Sequence, residues 1–157
     1  MTTPELTFRP ITEEDLEFLC ELYGDTRREE LASAPWSEEE KRAFLRMQFE
    51  AQHRFYQSQF PQARFDLLLH EGRRVGRLYV DRRADEIRLI DIALLSAFRN
   101  RGWGGRLLRD LLEEARDAGK PVRIHVEKFN PAMRLYERLG FRRLRDAGVH
   151  WLMEWSG

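Results

Sequence analysis

One stretch constrains this chain more than any other: Arg99-Asn100-Arg101-Gly102-Trp103-Gly104-Gly105-Arg106-Leu107-Leu108. It follows the apolar run Ile87-Arg88-Leu89-Ile90-Asp91-Ile92-Ala93-Leu94-Leu95. It opens a segment whose Leu107, Leu108, Leu111, Leu112 and Ala115 recur at helical spacing. The order is therefore strand, glycine-rich loop, helix. Three glycines in four positions let backbone approach a ligand closely, because no Cβ stands in the way. A helix N-terminus offers unpaired N–H groups and partial positive charge, and Arg99, Arg101 and Arg106 add full charges. Those properties suit a pyrophosphate. A tight strand-to-helix turn with solvated arginines is the plainer alternative. A P-loop is excluded, since no Lys-Ser/Thr pair follows Gly105. So is the dinucleotide fingerprint, since Leu107 stands where its third glycine belongs.

At 157 residues the chain reads as a single domain, 1–157, large enough for a sizeable core. With 42% hydrophobic and 34% charged residues it reads as soluble and globular rather than disordered. No apolar run approaches a membrane span, and Met1-Thr2-Thr3-Pro4-Glu5 has no signal-peptide character. The one cysteine, Cys20, rules out an internal disulfide. Together these features predict a cytoplasmic protein with no membrane partner. The 27 basic and 27 acidic residues balance, which argues against a nucleic-acid binder. His53, His70, His125 and His150 are scattered without metal-ligand spacing, so no metal is expected.

Along the chain, Leu6 to Ile11 alternates as a strand. Thr12, with Asp15, resembles a helix start, and Leu16, Leu19, Cys20 and Tyr23 line one face. Gly24 is expected to stop that helix, leaving 25–36 as a charged connection. Ser37 and Glu40 form a capping box for a long helix from Glu38 to about Gln57. Phe49, His53, Tyr56 and Phe60, with Trp36, read mainly as core. Some of them could wall a small-molecule pocket. Cys20, on its helix's apolar face, reads as core rather than nucleophile. Arg64–His70, Val75–Val80 and Glu86–Leu94 form an antiparallel meander, the last strand apolar enough to be central. After the glycine loop, the helix ends at Gly119. The strand 121–126 then returns through a parallel, right-handed crossover. Asn130 and Pro131 should start a short helix bearing Met133, Tyr136 and Leu139, and 141–146 and 149–155 close as a hairpin.

The loop, read as Arg99-x-x-Gly102-x-Gly104, resembles the Arg/Gln-x-x-Gly-x-Gly/Ala loop of the GNAT N-acetyltransferase superfamily. The tail from Asn130 through Ala132, Met133, Tyr136 and Gly140 to Phe141 is similar to that family's second recurring stretch. The element order β-α-α-β-β-β-α-β-α-β-β matches as well, so the resemblance covers essentially the whole chain. It implies an α/β, layered α+β fold. A mixed, mostly antiparallel sheet of about seven strands would be flanked by about four helices. It implies acetyl-CoA as co-substrate and direct transfer of the acetyl group to an amine on a small molecule or peptide. Family members often dimerise, so a homodimer is an expectation.

By the same resemblance, the backbone of Leu94, beside Leu95 at the strand end, would polarise the thioester carbonyl. Arg99, Asn100, Arg101, Gly102, Trp103, Gly104, Gly105 and Arg106 would hold the pyrophosphate. Tyr136 would protonate the leaving thiolate, and Asn130 would touch CoA or simply cap its helix. The base is open. Asp91 is a carboxylate in an otherwise apolar strand and so needs a partner or a purpose. Glu127, Glu86 and His125 follow it as candidates, and water could serve instead. A CoA-binding module without catalysis is the rival reading. Asp25, Glu29 and Glu30 could attract a cationic acceptor.

Overall fold

The computed structural model describes residues 6–157. Met1 to Glu5, including the leader reading, lie outside the described residues. Seven strands form one sheet: β1 (Leu6–Pro10), β2 (Arg64–His70), β3 (Arg73–Arg82), β4 (Ile87–Leu94), β5 (Val122–Glu127), β6 (Arg142–Ala147) and β7 (His150–Trp155). Their spatial order is β1-β2-β3-β4-β5-β7-β6. Among the described residues only the β4–β5 pairing is parallel. β4 is the middle strand, as its nearly continuous apolar sequence requires.

The helices are α1 (Leu16–Ala32), α2 (Glu38–Gln59), α3 (Trp103–Ala118) and α4 (Met133–Arg138), with 3₁₀ turns at Glu13–Asp15 and Ser96–Phe98. On one sheet face, Leu107, Leu108, Leu111, Leu112 and Ala115 of α3 join Met133 and Tyr136 of α4. They pack there on Leu78, Val80, Ile87, Leu89, Leu94, Ile124 and Val126. On the other face a smaller cluster of Leu19, Tyr23, Phe49 and Leu67 seats α1 and α2. Cys20 packs beside it, and burial pushes its thiol above the ordinary value, in keeping with a core position.

Helix ends follow their sequence signals with three exceptions. Ser37 Oγ accepts from Glu40 N–H at 3.1 Å and Glu40 returns the bond, so α2 starts where expected. Gly24, however, does not stop α1, which continues through it to Ala32. A Cβ at Gly24 would lie 3.3 Å from Leu45 Cδ1 of α2. This glycine serves a close helix approach, and the tertiary contact outweighs its poor helix propensity. Residues 25–32 are therefore helix rather than connection. Thr12 leads first into the 3₁₀ turn, where its N–H donates to Asp15 Oδ2 at 2.8 Å. Asn130 lies three residues before α4 rather than at its cap. Its Oδ1 accepts from Ala132 N–H at 2.8 Å and closes a turn through Pro131.

Two irregularities position the site. Tyr79 pairs with Asp91 but Val80 with Leu89, so Ile90 is an extra residue that bulges β4. β4 and β5 pair only at Ile87↔Val122 and Arg88↔Arg123. Beyond those pairs β5 follows β7 as far as Glu127↔His150, while β4 follows β3 as far as Gly76↔Leu94. The middle of the sheet therefore opens as a wedge.

Candidate active site

The β4 arm of the wedge presents backbone. Leu95 N–H donates to Val75 O at 2.9 Å, toward β3. Strand alternation then turns the N–H groups of Leu94 and Ile92 the other way, into the opening. The sequence reading singled out Leu94. Ile92 was missed, because only the observed register shows which amides lose a partner.

Beyond Leu94 comes the loop. Asn100 (φ 61°) and Gly102 (φ 81°) both adopt the left-handed conformation, which asparagine tolerates best after glycine. Left-handed residues within such a turn gather N–H groups into an anion-binding concavity. The α3 ladder begins with Arg106 N–H on Gly102 O at 3.1 Å. The N–H groups of Trp103, Gly104 and Gly105 precede it, and Gly102 has no side chain to cap them. A Cβ at Gly104 would meet only Leu94 Cδ1, at 4.0 Å, so the approach to these amides is open.

The loop arginines divide. Arg99 points inward: its Nε donates to Leu94 O at 2.9 Å and its Nη2 to Asp25 Oδ2 at 3.1 Å. Arg101 lies over the stacked rings of Phe98 and Trp103, 5.2 and 5.6 Å from their centroids. Arg106 is half-buried in the first turn of α3.

The candidate acids and bases fall on both faces. Tyr136 is 4% exposed, edge-on to Phe141, on the α3 and α4 side. Burial first, and then the charge of Asp91, push its phenol well above the ordinary tyrosine value, so it stays protonated. Asp91 lies on the α1 and α2 side. Arg77, itself 3% exposed, donates through Nε to Asp91 Oδ2 at 2.6 Å and pairs with the same oxygen through Nη2. Oδ1 is left outside this pair. Arg77 also donates to Gln52 at 2.8 Å and lies over the Tyr79 ring.

Glu127 has both oxygens engaged by Arg27 of α1, at 2.8 and 3.3 Å. That arginine holds its carboxyl below the usual range. Glu86 is tied to Arg123 and Arg83. His125 Nδ1 accepts from Arg88, and burial followed by that charge keeps its pKa below the ordinary value. Among the aromatic candidates, Phe49 and Phe60 are buried and Trp36, exposed, packs edge-on to Phe44. Burial raises the Tyr56 phenol above its ordinary value, and the charge of Asp91 adds to the shift. Asp25 and Glu30, read as cation attractors, are occupied within the fold, by Arg99 and Arg28 and by Arg27.

The central strand of this opened mixed sheet leads through a glycine loop to a helix N-terminus, the arrangement of an α/β fold with an anion-binding turn. The model of the acetyltransferase (GNAT) family matches residues 16–141, and the chain belongs to that family. No curated protein matches it. Solved structures share its fold at low identity. One is the PaiA N-acetyltransferase from Thermoplasma acidophilum in complex with coenzyme A: 20% identity, 97% of this chain and 99% of that one, TM-score 0.71. A second is an acetyltransferase from Thermus thermophilus: 19% identity, 98% and 97% coverage, TM-score 0.67. A third is the ribosomal-protein-S18-alanine N-acetyltransferase from Escherichia coli: 21% identity, 96% and 92% coverage, TM-score 0.62. No helix among the described residues is long and apolar enough to cross a membrane.

Proposed function

We propose that this protein is an acetyl-CoA-dependent N-acetyltransferase, in which a primary amine of a small molecule or peptide attacks the thioester directly. The observation that carries the reading is the wedge leading straight to the open amides of Trp103, Gly104 and Gly105. The family match and the coenzyme A complex of the Thermoplasma relative support it.

The α3 N-terminus and its loop hold the pyrophosphate by N–H donation and partial charge. Arg101 and Arg106 add charge nearby. Strand amides in the wedge, Leu94 and Ile92, orient the pantetheine arm and donate to the carbonyl oxygen as it gains charge. Tyr136 keeps its proton available for the departing thiolate. Asp91 is the better placed base: Arg77 fixes one oxygen and leaves Oδ1 to take the proton of the amine, directly or through water. The larger part of the acceleration comes from holding the two substrates together.

The test is acetyl-CoA binding by calorimetry for the wild type and Gly104→Glu, followed by coenzyme A release against a panel of primary amines. A Cβ fits at Gly104, so the variant should fold. It should lose about a hundredfold in affinity or more, because a carboxylate then meets the pyrophosphate. Release of coenzyme A by one amine class completes the case. A folded wild type that does not bind acetyl-CoA overturns it, and binding without turnover leaves a CoA-binding module.

A further inference from the structure

We propose that residues Asp25 to Arg27 of α1 form a strut across the wedge, and that Glu127, at its far end, is a positioning residue rather than a base. The reaction role rests on the acetyltransferase reading; the mechanical one does not.

Past Arg88↔Arg123 no backbone ladder links β4 to β5. Something else must set the width of the opening. The middle of α1 reaches the β4 side through Asp25. The Asp25 side chain is 8% exposed. Its Oδ2 accepts from Ser96 N–H at 2.7 Å and from Arg99 Nη2 at 3.1 Å. Its Oδ1 accepts from Ser96 Oγ at 3.2 Å and pairs with Arg28 at 2.8 Å. Through Arg99 Nε on Leu94 O, this one carboxylate governs the end of β4 and the start of the loop.

Two residues on, Arg27 forks onto Glu127, the last residue of β5. Arg27 is braced by Glu30 at 3.0 Å and lies over the Tyr23 ring. Asp25 and Arg27 belong to one continuous helix, so their spacing is fixed. That helix is itself pinned at its start, where buried Asp15 takes Arg9 of β1 and Arg74 of β3. The two arms are thus held at a set distance by a rigid element lying outside the sheet. Glu127, with both oxygens in the fork, acts on the reaction through this spacing.

The decisive variants are Arg27→Glu, Glu127→Arg and the double swap, measured by hydrogen exchange on the chain alone over residues 91–99 and 122–128. Each single variant should speed exchange in both segments about tenfold, and the swap should restore it by remaking the pair in reverse. Asp25→Asn keeps an acceptor for Ser96 but loses the charge facing Arg99. With one joint of the strut weakened it should speed exchange in both 91–99 and 122–128, by less than the Arg27 and Glu127 variants do. In turnover with the amine found by the panel, the single variants should lose kcat and coenzyme A affinity together, and the swap should regain both. A swap that stays inactive with full coenzyme A affinity would make Glu127 the base and overturn the proposal. So would single variants with wild-type exchange. If the protein bound no acetyl-CoA, the acetyltransferase reading would fail while the exchange data still judged the strut.

Discussion

Asp91 and Glu127 show how a residue's role depends on its individual atoms. Both are carboxylates facing the wedge from the same side of the sheet, and both carry an arginine. Arg77 occupies one oxygen of Asp91, whereas Arg27 occupies both of Glu127. That difference is why Asp91 is proposed as the base and Glu127 as a positioning residue. Tyr136 is the converse case, a phenol kept neutral by burial next to a negative charge. Tyr136→Phe should lower kcat about a hundredfold, within the range of general acid catalysis. It should leave coenzyme A affinity and melting temperature near wild type, as calorimetry and thermal denaturation will show. Because the phenol's pKa is raised, the wild-type rate should show no loss assignable to Tyr136 as pH rises to the ordinary tyrosine value of about 10.

Elements here are joined by a few exacting contacts. Gly76 in β3 is one: a Cβ there would lie 2.2 Å from Ala93 O of β4, deeper than any side chain could relieve. Gly76→Ala should destabilise the protein by about 3 kcal/mol, read from chemical denaturation, through forced separation of the two central strands. Asp15 is another, joining α1 to β1 and β3. The hydrogen bonds from Arg9 hold its carboxyl well below the usual range against the opposing effect of burial, with Thr12 N–H and Arg74 adding to the shift. The unfolded chain takes up this proton near pH 4; the folded chain does so only at much lower pH. The contribution is complete above about pH 4 and fades as pH falls toward the depressed folded value. Asp15→Asn should therefore melt about 5 °C lower than wild type at pH 7, with the gap narrowing progressively below pH 4.

For the molecule as a whole, binding and folding are linked, because the wedge and the loop exist only when both faces of the sheet are covered. Coenzyme A at a hundred times its dissociation constant should stabilise the fold by about 2.7 kcal/mol, visible as a raised melting temperature. Gly104→Glu should abolish that shift. Much of this architecture was legible in the sequence. The strands, the meander, the central position of β4, the helical face of α3 and the loop all follow from local pattern, because periodicity reports which face is buried. The end of α1 was not legible. Gly24 carries a stop signal locally, and only the approach of Leu45 shows why a glycine is there. The strut was hidden for the same reason, since its residues were read as a connection and its partners lie about seventy and a hundred positions away.

The sequence by itself determined the strands, most of the helical segments and the faces they bury, and that a glycine loop leads from the central strand to a helix N-terminus. These are short-range matters, set by side-chain periodicity and backbone freedom. Only the tertiary structure decided where the sheet stops pairing, which amides face the opening, and which oxygens of the two carboxylates remain free. Those depend on strand register, one bulged residue and arginines arriving from distant elements, and no local pattern encodes the meeting of groups that the chain brings together only when it folds.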